Sequence, residues 1–131
     1  MTGFISSLTG SSAFGYAARI VLTYMFWASG LAKAIDFNAA IAEMAHFNLA
    51  PPVIYAVATI IVQLFGSLLI IFNRWTWLGA GALGIFTLLT IPIVHTFWSM
   101  EEPFKTMEFY TVMEHISIVG GLMVVAWKAE R

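Results

Sequence analysis

The chain has 131 residues, 60% of them hydrophobic and 10% charged, with a mean hydropathy of +0.87; that leaves too little polar surface to wrap a soluble core, so lipid must form part of its solvent. A net charge of −1 with no Lys/Arg cluster excludes the electrostatic footprint of a nucleic-acid binder. The lack of cysteine excludes disulfides, thiolate metal sites and iron–sulfur clusters.

Four runs, 15–35, 53–72, 76–97 and 109–127, approach or exceed the roughly 20 apolar residues that cross a bilayer. They predict an all-α fold, an antiparallel transmembrane four-helix bundle forming a single membrane domain over 1–131. Residues 1–15, rich in Ser, Gly and Thr, read as a short mobile tail. The first run reads as a retained helix rather than a cleaved signal: residues 2–18 hold no Lys or Arg, and Lys33 lies inside the small-x-small motif Ala32-Lys33-Ala34. Asp36-Phe37-Asn38 ends this helix. Residues 37–49 then carry apolar Phe37, Ile41, Met44 and Ala45 with polar residues between, the pattern of a short amphipathic interfacial helix; an ordered loop is the alternative. Pro51-Pro52 forces extended backbone before a fresh helix start. The tight connection Asn73-Arg74-Trp75-Thr76 makes the second and third helices neighbours, and 99–105, with Pro103, is the last loop.

Small residues mark the faces on which membrane helices approach closely. At about 100° per residue, Arg19, Thr23, Phe26, Gly30 and Lys33 share one face of the first helix. Thr59, Gln63, Gly66 and Ser67 do so on the second, Gly81, Gly84, Leu88 and His95 on the third, and Glu114, Ser117 and Gly121 on the fourth. Polar and small stripes coincide, which predicts a polar core between the helices. With both termini on one side, that side carries Arg19, Arg74, Lys128 and Arg131, against Lys33 and Lys105 on the other. The basic excess marks it as cytoplasmic. Trp75, Trp77, Trp98 and Trp127 fall near span ends, where interfacial aromatic belts form.

The candidate site residues are His95, Glu114, His115, Gln63 and Lys33. Glu114 lies about five residues, or roughly 8 Å, inside the fourth span, where an unpaired carboxylate costs on the order of 3 kcal/mol. Facing Lys33, or sharing a proton with His95 or His115, would offset that cost; the bland alternative is that Glu114 reaches back to the interface or pins two helices together. Pro92, three residues before His95, is expected to kink the third helix and re-aim the segment carrying that histidine. Gln63, near mid-membrane, suits either an interhelical hydrogen bond or a ligand carbonyl. Arg19 and Lys33, near span ends, suit snorkelling. A quinone fits such a set, since its carbonyl oxygens accept hydrogen bonds and its ring stacks on aromatics. Metal ranks below quinone, because Glu114 and His115 diverge by about 100° and no His-x3-His or Glu-x-x-His pair is present.

Several of these residues stand in a recognisable order. Arg19-Ile20-Val21-Leu22 through Phe26, Ser29-Gly30-Leu31-Ala32-Lys33 and Asp36-Phe37 resemble the opening of the DoxX family of small four-helix membrane proteins. Leu49-Ala50-Pro51-Pro52, Gln63-Leu64-Phe65-Gly66-Ser67, Arg74, His95 and Gly120-Gly121 follow in family order, so the resemblance runs from about Arg19 to Trp127. It implies a multi-pass protein of the bacterial or archaeal plasma (inner) membrane, some relatives being named as subunits of quinol oxidase or thiosulfate:quinone oxidoreductase systems and others linked to oxidative stress or aromatic-compound tolerance. Two departures stand out. Relatives often carry Glu where Gln63 stands and Lys-Asn where Glu114-His115 stand, so a charge pair typical of them is altered here.

Three functions therefore remain in view. The chain is a subunit of a quinone-linked redox system, with any enzymatic activity belonging to that oxidoreductase. Alternatively it is a non-catalytic assembly subunit of a larger membrane complex, or a transport or tolerance protein for a small hydrophobic compound. A thin bundle with aromatic-rich spans favours a homo-oligomer or a larger membrane protein complex over a monomer.

Overall fold

The computed structural model describes residues 2–129, and these form seven α-helices, one 3-10 turn and no strand. The segment expected as a tail is helical: α1 (Thr2–Thr9) ends at Gly10, and Ser11 starts α2 (Ser12–Leu22) by accepting the Phe14 N–H on its hydroxyl at 3.2 Å. The first predicted span is likewise not one helix. Thr23 divides α2 from α3 (Tyr24–Ile35). Its hydroxyl donates back to the Arg19 carbonyl at 2.7 Å, a bond that bends helices, and the Ile20 carbonyl accepts the Trp27 indole N–H at 3.1 Å.

Asp36 ends α3 and caps α4 (Phe37–His46) by accepting the Ala39 N–H. The amphipathic helix is thus formed. Its apolar face packs on the protein, where Ala40 and Met44 bury against Ala56 of α5 (Pro52–Ile71). Pro52 occupies the first turn of α5, where a missing N–H costs nothing. Both α4 and α5 terminate through a left-handed asparagine, Asn48 at φ 61° and Asn73 at φ 52°. The next N–H, of Leu49 or Arg74, bonds back to Met44 O or Leu69 O, closing a Schellman-type end.

Helix α6 (Thr76–Ile93) stops just after Pro92 instead of continuing through residue 97. Proline removes one ladder bond and crowds the carbonyl four residues back, so beyond Val94 the chain leaves the helix and forms only a 3-10 turn at Phe97–Ser99. The last helix, α7 (Phe104–Lys128), starts five residues earlier than 109 because the Glu102 carboxylate accepts the Thr106 N–H at 2.8 Å. Three helical segments, Pro52–Ile71, Thr76–Ser99 and Phe104–Lys128, are long and apolar enough to cross a membrane.

Phe26 of α3, Ile70 of α5, Ala80 and Leu83 of α6 and Leu122 of α7 bury together as the main core. The buried stripes match the expected faces on α3 and α5, with Thr23, Phe26 and Gly30 on one and Gln63, Gly66 and Ser67 on the other. They differ on the last two helices. On α6 the buried residues are Thr76, Gly79, Ala80, Leu83, Gly84 and Thr87, while Leu88 is exposed and a side chain added at Gly81 would meet open space. On α7 they are Val112 and Leu122, while Glu114 and Ser117 are exposed. A rotation of some tens of degrees about each axis accounts for the difference, and spacing alone leaves that angle open.

Helices α5 and α6 meet most tightly at Gly79: a Cβ there would stand 2.7 Å from the Gly66 carbonyl oxygen. Backbone cannot yield as a side-chain tip can. Gly79→Ala is therefore expected to destabilise the fold by about 1–3 kcal/mol, whereas Gly81→Ala is neutral. Thermal unfolding of both variants in the same detergent checks this; equal melting temperatures would refute the close contact.

Candidate functional site

The break at Pro92 places His95 outside any helix, held by its own N–H to the carbonyls of Thr90 and Ile91, both at 3.1 Å. Its side chain points to α7. There Glu108, Val112 and His115 recur at the i, i+4, i+7 spacing of one helix face. His95 Nδ1 lies 2.5 Å from Glu108 Oε2, a charge-assisted hydrogen bond between side chains that are 16% and 29% exposed. The rings of His95 and His115 meet edge to face with centroids 4.6 Å apart. With Nδ1 engaged by a carboxylate, the other ring nitrogen of His95 is the one left for a further partner. His115 Nδ1 is buried without a hydrogen-bond partner among the described residues. Beside the cluster, Phe97 stacks edge-on against Phe109 at 5.2 Å. These two rings line one shallow groove with Glu102, Lys105 and Thr106.

Of the five residues expected to share a pocket, the structure brings His95 and His115 together. Lys33 is elsewhere, its ammonium donating to Ser29 Oγ at 2.7 Å and standing 3.8 Å from Glu43 Oε2. Gln63 lies between α5 and α3, its Cβ 3.3 Å from the place where a Gly30 side chain would begin, with its Oε1 buried and unpartnered among the described residues. Glu114 has neither Lys33 nor a histidine as a hydrogen-bond or ion-pair partner among the described residues. It sits on the outer side of α7, where Met113, Ser117 and Ile118 form a shallow depression with it. Pairing with His95 offsets the cost of an intramembrane carboxylate at Glu108, and Glu114 has no such partner among the described residues. Glu108 was missed because a helix start at 109 leaves it in a loop; beginning the helix after Pro103 puts it on the face of His115. No group of three or more His, Asp or Glu residues among the described residues is arranged to hold a metal ion.

Residues 15–96 match the DoxX family, which is more than half of the chain. The chain belongs to the DoxX family. It is also similar to the inner membrane protein YphA of Escherichia coli (strain K12), with 24% identity over 109 residues, covering 83% of this chain and 78% of that protein. No solved structure matches. Together with the three apolar helices, these likenesses make this DoxX chain a bacterial multi-pass membrane protein. The matched segment takes in Lys33, Gln63 and His95 and ends before Glu108, Glu114 and His115, so the carboxylate that holds His95 lies beyond it.

Removing the Glu108 charge leaves His95 without its charged acceptor in a half-buried setting, whereas Glu114 loses nothing comparable. Glu108→Gln is expected to lower stability by about 1–2 kcal/mol and Glu114→Gln by less than about 0.5 kcal/mol. Chemical-denaturant unfolding in detergent compares them; an equal loss would remove the distinction between the two carboxylates.

Proposed function

We propose that this DoxX protein is a small subunit of a quinone-linked membrane system, in which His95, Glu108 and His115 receive the head group of a quinone. The observation that carries this reading is the His95–Glu108 hydrogen bond, with the second imidazole packed against the first. A bound quinone would supply two-electron redox chemistry and carbonyl oxygens that need proton donors. The side chains present suit that need. Glu108 fixes the His95 ring through Nδ1, so the other ring nitrogen is the one available to hydrogen-bond an oxygen at its edge. His115 offers a second imidazole, and Phe97 and Phe109 offer faces for an aromatic ring. Gln63 and Lys33 are then packing and tethering residues of neighbouring helices, and Glu114 faces outward.

The architecture proposed with it is a single membrane domain over 1–131, an antiparallel four-helix bundle in which α2 and α3 together make the first crossing. Eleven and twelve residues span too little singly, but jointly they reach across a bilayer. Arg19, Arg74 and Lys128 support cytoplasmic termini, Arg131 and Glu130 lying outside the described residues.

A second reading, assembly without catalysis, draws on α7. In its most apolar stretch 11% of the residues are buried, against 28% in each of α5 and the α6 segment, so one long helix offers most of its surface to lipid or to other chains. A homo-oligomer or a larger complex would cover it.

The test is purification of the full chain from its native membrane in nanodiscs, with chromatography of the extracted lipophilic molecules. A quinone near one per chain, lost at least ten-fold in His95→Ala and in Glu108→Gln but retained in Glu101→Gln, is the expected result. A large complex that co-purifies without quinone overturns the redox reading in favour of assembly.

A further inference from the structure

At the other end of α6 from His95, Arg19 of α2, Arg74 of the α5–α6 connection and Lys128 at the end of α7 line one groove. Ser12, Tyr16 and Asn73 complete its polar wall, and no carboxylate lines it among the described residues. Three cations gathered from three parts of the chain repel one another, and an anion between them relieves that repulsion. The Arg19 guanidinium lies over the Tyr16 ring at 5.5 Å, a cation–π contact along the wall of the groove. The first turn of α2 opens on the same groove at Ser12, whose amide N–H has no partner within the helix.

Two further features identify the source of the anion. Tyr16, Phe72 and Arg74 also line a second groove, which runs on along Leu68 and Leu69, so the polar and apolar grooves are continuous. Trp75, Trp77 and Trp127 stand exposed at this same end of the helices, where aromatic side chains mark the head-group level of a bilayer. A free phosphate would use only the polar half. A phospholipid uses both.

We propose that this groove binds the phosphate-bearing head group of an anionic phospholipid, with one acyl chain laid along Leu68, Leu69 and Phe72. Arg19 and Arg74 grip phosphate oxygens in the fork geometry of guanidinium, and Lys128 contributes a point charge. The site lies about 27 Å along α6 from the histidine pair and is independent of the proposed quinone reading.

Native mass spectrometry of the full chain, released from detergent with phosphatidylglycerol or phosphatidylcholine added in turn, tests this. Wild type is expected to retain phosphatidylglycerol preferentially, and retention should fall about five-fold for each cation removed in Arg19→Gln, Arg74→Gln and the exposed Lys128→Gln. Equal retention of the two lipids by wild type overturns the proposal without reference to any variant. So does unchanged phosphatidylglycerol retention in the Arg19→Gln/Arg74→Gln double variant. In a separate arm, inorganic phosphate is added: lipid that stays bound supports the phospholipid, while displacement of phosphatidylglycerol at millimolar phosphate assigns the groove to a free anion and overturns it.

Discussion

Within hydrocarbon there is no water to satisfy a polar group, so backbone N–H and carbonyl groups are stabilised by partners inside the protein or by reaching the head groups. That requirement shapes several of the helix ends of this chain. Ser11, Asp36 and Glu102 side chains accept amide N–H groups at helix starts, and Asn48 and Asn73 turn the chain left-handed so that following amides bond back to waiting carbonyls. Mid-membrane hydroxyls are met in the same way, Ser67 donating to the Gln63 carbonyl and Thr87 to the Leu83 carbonyl. Where Pro92 removes an amide from the ladder, the chain leaves the helix altogether, and the histidine exposed by that break is taken up by Glu108.

Around this frame, α5 is the element on which the others assemble. It packs against α3, α4 and α6, and α6 in turn carries α7. Close approach at Gly66 and Gly79 leaves no room between α5 and α6, so the direction of α6 is set by backbone contact, and with it the positions of both its ends. One end holds the basic groove and the other the histidine pair. A membrane protein this small thereby keeps a cationic groove and a histidine–carboxylate cluster near opposite ends of one helix.

Helix α7 plays two parts. Its inner face supplies Glu108, Val112, His115 and Leu122 to the protein, while Met113, Ile116, Met123 and Val124 stand exposed. Glu114, on that outer side, is a charge at the margin of an apolar surface rather than a member of the core. The matched residues 15–96 begin inside α2 and stop just before the 3-10 turn, so the α7 residues that complete the His95 cluster lie beyond that matched segment.

Length, hydropathy and breakers by themselves determined that this is an all-helical membrane protein, with a fresh helix after Pro51-Pro52, another from residue 76 and an inward stripe on α5 running through Gln63, Gly66 and Ser67, while the segment after Asp36 read equally as an amphipathic helix or an ordered loop. Those features follow from local chemistry, because proline, asparagine and small residues act within a few positions of themselves. Only the tertiary structure decided that the first span divides at Thr23, that α6 and α7 turn Gly81, Leu88 and Glu114 outward, and that Lys33 pairs with Glu43. Periodicity yields which residues share a face, but the direction of that face depends on the neighbouring helix. For the same reason Glu108, rather than Glu114, meets His95: the choice between two carboxylates on one helix rests on rotation about its axis, which the packing of Leu122 against Ala80 and Leu83 of α6 helps to set and no spacing in the sequence encodes.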